Sequence, residues 1–172
     1  EYMIEQTFVM VKPDGVNRKL AGEVIKRFEQ RGLKIIGMKM IWPTEELARQ
    51  HYTYEDIEVR HGKKIRDSLV KFVTEGPVIA FVLEGAAVIE VVRKLCGSTE
   101  PKSAPAGTIR GDFAHHNYAV CDSTGMSIRN VVHASANAED AEREIKVWFK
   151  PEELHNYSSA DEFHHYGPRG FA

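Results

Sequence analysis

Cysteine is scarce in this chain, two in 172 residues, and Cys96 and Cys121 form no paired motif. A disulfide scaffold is not expected, and free thiols point to a reducing, cytoplasmic setting. No apolar run approaches the roughly 20 residues that span a bilayer, and the first residues lack the charged start and apolar stretch of a signal peptide, so no membrane partner is expected. Basic excess is missing too. The formal net charge is −2, from 23 Lys and Arg against 25 Asp and Glu, which leaves no global field to draw nucleic acid. No strand carries the paired aromatics that RNA-recognition sheets use. Any anion must therefore be held by a local group of cations. No cluster of carboxylates is available to hold a metal by protein alone, and the pairs His115-His116 and His164-His165 lack the spaced partners of a metal site.

What is present is the composition of a globular protein, 42% hydrophobic and 28% charged, with no repeat of solenoid period and no flexible linker. One domain covering residues 1–172 is the expectation. Residues 7–11 are continuously apolar, as in a strand covered on both faces. Lys12 ends that strand on the facing of Phe8 and Met10, and Pro13-Asp14-Gly15 reads as a turn. Leu20, Val24 and Phe28 mark a helix closed by Gly32, with a strand at about 34–41 behind it. Helical segments are expected at 44–50, 63–74 and 87–96, a buried strand at 78–83, and a last strand at 130 followed by a helix from about 137. Residues 98–129, rich in Gly, Pro, Ser and Thr with little periodicity, read as a long functional loop. Residues 158–172 read as a tail ordered only by docking against a neighbour. This order predicts an α+β fold: the ferredoxin-like (split βαβ) four-stranded antiparallel sheet with helices on one face, plus inserted helices and a C-terminal extension.

The chemistry concentrates in Asn130–Ser135, NVVHAS. Side chains alternate in an extended run, so Val131, His133 and Ser135 are expected on one face, with an imidazole presented from rigid backbone. In the helix that follows, Ala138, Ala141, Ile145 and Trp148 form an apolar stripe that Glu144 interrupts. An inward carboxylate needs a partner. If that partner is His133, Glu144 accepts one ring N–H, fixes the tautomer and leaves the other nitrogen free to attack. Elsewhere Lys12 at a strand end, Arg93 in a last helical turn and Arg110 beside Gly111 are suited to phosphate oxygens.

Taken in order, VKPDGV (Val11–Val16), His51-Tyr52, EGPV (Glu75–Val78), AGTIRGDF (Ala106–Phe113), NVVHAS and EREIKVWFKPEEL (Glu142–Leu154) closely resemble nucleoside diphosphate kinases, over about residues 6–157. The longer loops are similar to those of archaeal members. The resemblance implies a ping-pong transfer: a nucleoside triphosphate gives its γ-phosphate to His133, and a nucleoside diphosphate takes it from the phosphohistidine. By position, His133 matches the phosphorylated histidine, Glu144 the carboxylate that orients it, and Ser135 and Tyr52 the hydroxyls around it. Lys12, Arg93, Thr99 and Arg110 match the phosphate ligands and Asn130 the residue that meets the sugar hydroxyls; Ile65 and Leu69 complete the nucleotide-binding set. Mg2+ is expected on the nucleotide phosphates, with no direct metal ligand from the protein, and a homo-oligomer, a hexamer, is implied. Three positions depart from the pattern. Ile65 stands for a base-stacking phenylalanine, Ala136 for an aspartate after His-x-Ser, and Glu100 for an Asn or Asp. These departures leave a weakened nucleotide-binding regulator of the same fold as the alternative.

Overall fold

The computed structural model describes residues 3–168. Four antiparallel strands form one sheet in the order β2-β3-β1-β4, with β1 at Ile4–Val11, β2 at Lys34–Ile41, β3 at Val78–Ala86 and β4 at Val132–Ala134. That is the split βαβ order, in which the two crossover helices, α2 (Ala21–Gln30) and α6 (Val88–Cys96), share a face. Val9 and Val11 of β1 pack there with Val24, Phe28, Val88 and Val92. Phe8 and Met10 point the other way. They meet Ala48, Val70, Val73, Ile145 and Trp148, so the inserted helices α3 (Glu45–His51) and α5 (Lys63–Val73) and the later α9 (Ala138–Trp148) cover the second face. β1 is buried from both sides because both helical layers need its alternate side chains.

Local chemistry accounts for the boundaries. Gly32, at φ +82°, ends α2: its N–H donates to the Glu29 carbonyl and that of Leu33 to the Phe28 carbonyl, the paired closure that a left-handed glycine permits. Thr44, Thr108 and Asn137 cap α3, α7 (Ile109–Phe113) and α9 through their side-chain oxygens.

Four expectations are corrected. Pro13-Asp14-Gly15 is not a reverse turn but the start of a short helix, α1 (Pro13–Asn17), with proline where its missing N–H costs nothing. Segment 98–129 is not a structureless loop. It holds a 3-10 turn at Pro101–Ser103, α7, and α8 (Tyr118–Thr124). Val131 does not share the facing of His133. Its φ of +71° breaks the alternation and places it in the opposite core with Val132. Finally, the tail through residue 168 docks on its own chain: Glu162, in α10 (Glu162–Tyr166), pairs with Lys34 at 2.7 Å, and the Tyr166 hydroxyl accepts from the Ala86 N–H. Residues 169–172 of that expected tail lie outside the described residues. Between α3 and α5, a π-helical turn (Tyr54–Glu58) and the single turn α4 (Val59–His61) fill a stretch that carries no clear period.

Candidate active site

β4 has only three residues, and its neighbours hold it by the backbone. The Lys12 N–H donates to the Val131 carbonyl at 2.8 Å, and the Val131 N–H to Asp14 Oδ2 at 3.0 Å. Arg110 Nη2 donates to the Val132 carbonyl at 2.6 Å. Those bonds stabilise the unusual turn at Val131 and set the angle at which His133 leaves the sheet.

The expected pair is there. His133 Nε2 lies 2.5 Å from Glu144 Oε1, and Glu144 is buried on the inner face of α9 between Ala141 and Trp148. Burial by itself raises a carboxyl pKa; the adjoining His133, and after it the other donors, outweigh that and hold Glu144 down at about 2. A carboxylate only accepts, so Nε2 carries the proton and the lone pair is on Nδ1. No described residue bonds to Nδ1. Ser135, fully buried, donates from Oγ to Glu144 Oε2 at 3.0 Å and takes the N–H of Phe8 at 3.3 Å. Its hydroxyl is thus bonded to the carboxylate behind the ring and not to a ring nitrogen of His133.

A pocket of about 170 Å³ opens in front of this ring. His133, Lys12, Tyr52 and Asn130 line it together with Arg93, Thr99, Arg110 and Leu69, among others. Ile65 sits apart, in a second cavity that shares Leu69 and Ile128 with the first. Lys12 Nζ donates to Asn130 Oδ1 at 2.8 Å, and Asn130 Nδ2 to the Thr99 carbonyl at 2.9 Å. Burial, and next the Arg110 charge, lower the Lys12 pKa to about 7, and no carboxylate among the described residues forms an ion pair with the ammonium. Arg110 spends three donors on the carbonyls of Asn130, Gly97 and Val132, which leaves two of its five for a ligand. Gly111 lets the turn at Pro105 pack against the start of α7, since a Cβ there would lie 1.9 Å from the Pro105 carbonyl oxygen. The Tyr52 hydroxyl is buried with no partner among the described residues. Buried polar groups are normally bonded, so an orphan hydroxyl on the pocket wall is an unmet demand for a ligand.

From the sequence, His51 enters only as part of the His51-Tyr52 motif, with no role read for its ring. Its ring lies edge-on to His133 at 4.5 Å between centroids. Trp148 Nε1 donates to its Nδ1 at 3.0 Å. Burial, then the neighbouring His133, lower its pKa to about 3, so it is a neutral wall against the His133 ring. His51, His133 and Glu144 also have the spacing of a metal cluster. The indole N–H already occupies Nδ1 of His51, and the pair explains the other two. His116, for its part, accepts from the Arg129 N–H at 3.0 Å and pins the loop.

A phosphate-sized pocket with three cations, an unpaired imidazole nitrogen and an acid behind it is a phosphoryl-transfer constellation. Residues 5–154 match the family model described as nucleoside diphosphate kinase. The chain belongs to the nucleoside diphosphate kinase family. The nucleoside diphosphate kinase of Borreliella burgdorferi is 52% identical over 164 residues, covering 95% of this chain and 98% of that protein. That of Pyrococcus furiosus is 48% identical over 157 residues, covering 91% and 90%. Among solved structures, the transition state mimic of the Borrelia burgdorferi nucleoside-diphosphate kinase with bound vanadate and ADP superposes with a TM-score of 0.93 at 52% identity, over 95% of this chain and 98% of the other. A halophilic nucleoside diphosphate kinase from Halobacterium salinarum in complex with CDP gives 0.81 at 40% identity, over 95% and 99%.

Proposed function

We propose that this member of the nucleoside diphosphate kinase family carries phosphate on His133 Nδ1 between two nucleotides. The chain transfers the γ-phosphate of a nucleoside triphosphate to a nucleoside diphosphate. In the first half-reaction Nδ1 attacks the γ-phosphorus, the N–P bond forms as the bond to the β,γ-bridging oxygen breaks, and the diphosphate leaves with that oxygen. The second half-reaction runs the same step in reverse with another diphosphate as acceptor. Through both, Glu144 keeps Nε2 protonated and stabilises the positive charge that grows on the ring. Lys12, Arg110 and Arg93 meet charge on the phosphate oxygens, and their placement in advance of the reaction is where the rate comes from. Tyr52 gives its unpaired hydroxyl to the same oxygens, Thr99 lines the pocket, and Asn130, held through Oδ1 by Lys12 and through Nδ2 on the Thr99 carbonyl, keeps its second amide hydrogen for the sugar hydroxyls. Ile65 and Leu69 border the base.

Magnesium enters as part of the substrate. The pocket lining contains no carboxylate, so a divalent ion is accommodated only on the nucleotide's own phosphate oxygens. The observation that carries the reading is the convergence of His133, its Glu144 bond and the three cations on one pocket. A weakened regulatory binder of the same fold has nothing in its favour beyond the departures from the family pattern such as Ile65 and Ala136. The free thiols of Cys96 and Cys121 favour a reducing, cytoplasmic location, with residues 1–172 acting as one domain. A homo-oligomer, most simply a hexamer, is favoured by an uncovered apolar row on β2, where Met38 and Met40 stand exposed; nucleic acid and membrane are not proposed as partners.

Incubation with γ-labelled ATP tests this. An acid-labile, base-stable label that chases onto added GDP is expected, and His133→Ala removes it while nucleotide still binds. Label that persists in His133→Ala overturns the assignment.

A further inference from the structure

The second cavity, about 320 Å³, adjoins the phosphate pocket, with Leu69 and Ile128 lining both. Its size falls within the ~300–1,000 Å³ range of small-ligand pockets. With phosphates at His133 and the sugar at Asn130, the base of a bound nucleotide has this cavity to enter. The inner wall is Ile65 and Leu69 from α5, which offer no aromatic ring. The opposite contribution comes from α8, the helix inserted in segment 98–129, and it includes the one aromatic side chain of the cavity, Tyr118.

We infer that Tyr118 is the aromatic wall of the nucleobase subsite, supplying from α8 the stacking surface that Ile65 lacks. This rests on the nucleotide reading above and adds a specificity-determining residue to it. Tyr118 is 48% exposed, so its face is available, yet its backbone is not free to drift. The Tyr118 N–H donates to Glu100 Oε1 at 3.1 Å, and Asn117 caps the helix on the Val120 N–H. The His116 carbonyl accepts from the Lys102 N–H. On the far side, Ser127 Oγ bonds Ser68 Oγ of α5 at 2.7 Å, which clamps the inserted segment to the helix that carries Ile65. Glu100 thus has a local explanation: it anchors the start of α8. A ring held at the mouth of a cavity, half exposed and with rigid backbone, offers stacking without a large ordering cost.

The test compares binding of ADP and of ribose 5-diphosphate, which lacks a base, by calorimetry. Loss of a stacked ring typically costs a base about tenfold in affinity, so Tyr118→Ala is expected to raise the Kd for ADP about tenfold and leave that for ribose 5-diphosphate within twofold. Tyr118→Phe keeps the ring and holds ADP affinity within twofold. Val120→Ala, on the same helix but outside the cavity lining, leaves both Kd values unchanged. Tyr118→Ala that shifts ADP by less than twofold, or shifts both ligands equally, overturns the inference. Labelling of the unaltered protein by γ-labelled ATP is read separately: ADP binding that depends on Tyr118 without any label keeps the base wall and sinks the transfer reading, whereas label with an indifferent Tyr118 does the reverse.

Discussion

Glu144 accepts from two side chains at once, His133 Nε2 at 2.5 Å and Ser135 Oγ at 3.0 Å, so its orientation is set from both sides before any substrate arrives. A glutamine at this position can still accept the Nε2 proton through its carbonyl but brings no charge. Hydrogen bonds to charged groups contribute roughly 1.5–3 kcal/mol, so Glu144→Gln is expected to slow labelling of His133 about 10- to 100-fold without abolishing it. Rapid-quench measurement of phosphoenzyme formation decides the point, and an unchanged rate removes Glu144 from the mechanism. Lys12 offers a second check, through protons rather than rate. Its pKa is lowered to about 7 in the free protein by burial and then by Arg110, and a polyphosphate alongside must raise it. Between the free and bound values, binding takes up a proton. Uptake is expected to approach about one proton per site at pH 8 and to be near zero at pH 6, with nucleotide affinity falling as pH climbs above 7. Calorimetry in buffers of different ionisation enthalpy measures it; uptake that is the same at both pH values contradicts the assignment, and Lys12→Met should remove it.

The element that organises the site is α9, whose inner face carries Glu144 and Trp148 four residues apart, one to His133 and the other to His51. Trp148→Phe leaves the buried Nδ1 of His51 without its donor, a loss of about 1–3 kcal/mol to be read from urea unfolding. His51 itself gives the fold an acid sensitivity. Its folded pKa is depressed to about 3 against about 6.5 in an unfolded chain. The unfolded state therefore binds more protons between those values, and the stability His51 contributes is present above pH 6.5 and lost as pH falls toward 3. A stability profile flat across that window in the unaltered protein, with His51→Gln behaving identically, contradicts this. Much of this element was legible in the chain: Ala141, Ile145 and Trp148 at helical spacing put Glu144 on the buried face, and Gly32 marked the end of α2. Other parts were not. α7 and α8 have five and seven residues, about two turns at most, too few for a 3.6-residue period to show; their readable marks were the caps Thr108 and Asn117. Val131 adopts a positive φ that no β-branched residue advertises. His51 had a weak signal, three residues after Ala48 and so on the same buried side of α3. Ser135 was placed near the ring by alternation, but only the fold shows that its hydroxyl serves Glu144.

At the scale of the whole molecule, one sheet lies between two helical layers, and the layers do not reach equally far. The β3 neighbours of Met38 and Met40 are Phe81 and Ile79, which pack in the core beneath α2 and α6. Along β2 that same face runs on uncovered, with Met40 61% and Trp42 64% exposed. Trp42 is not loose: its Nε1 donates to the Thr74 carbonyl at 2.8 Å, so the indole face is presented in a fixed orientation and little ordering entropy is lost when something packs on it. β2 is also an edge strand, its own chain taking only the Ile36 carbonyl through the His155 N–H and the Ile35 carbonyl through the Tyr157 hydroxyl among the described residues, and a net charge of −2 puts little repulsion between copies. These features favour a closed assembly built through the β2 edge of two copies. Met40→Glu places a carboxylate in the middle of the row while leaving both cores and the His133 pocket untouched. Light scattering should then show a smaller assembly than the hexamer of the 19.5 kDa chain proposed for the unaltered protein, with labelling of His133 by ATP retained in the smaller species. A mass unmoved by Met40→Glu places the interface elsewhere on the molecule, and the exposed row on β2 then needs another partner.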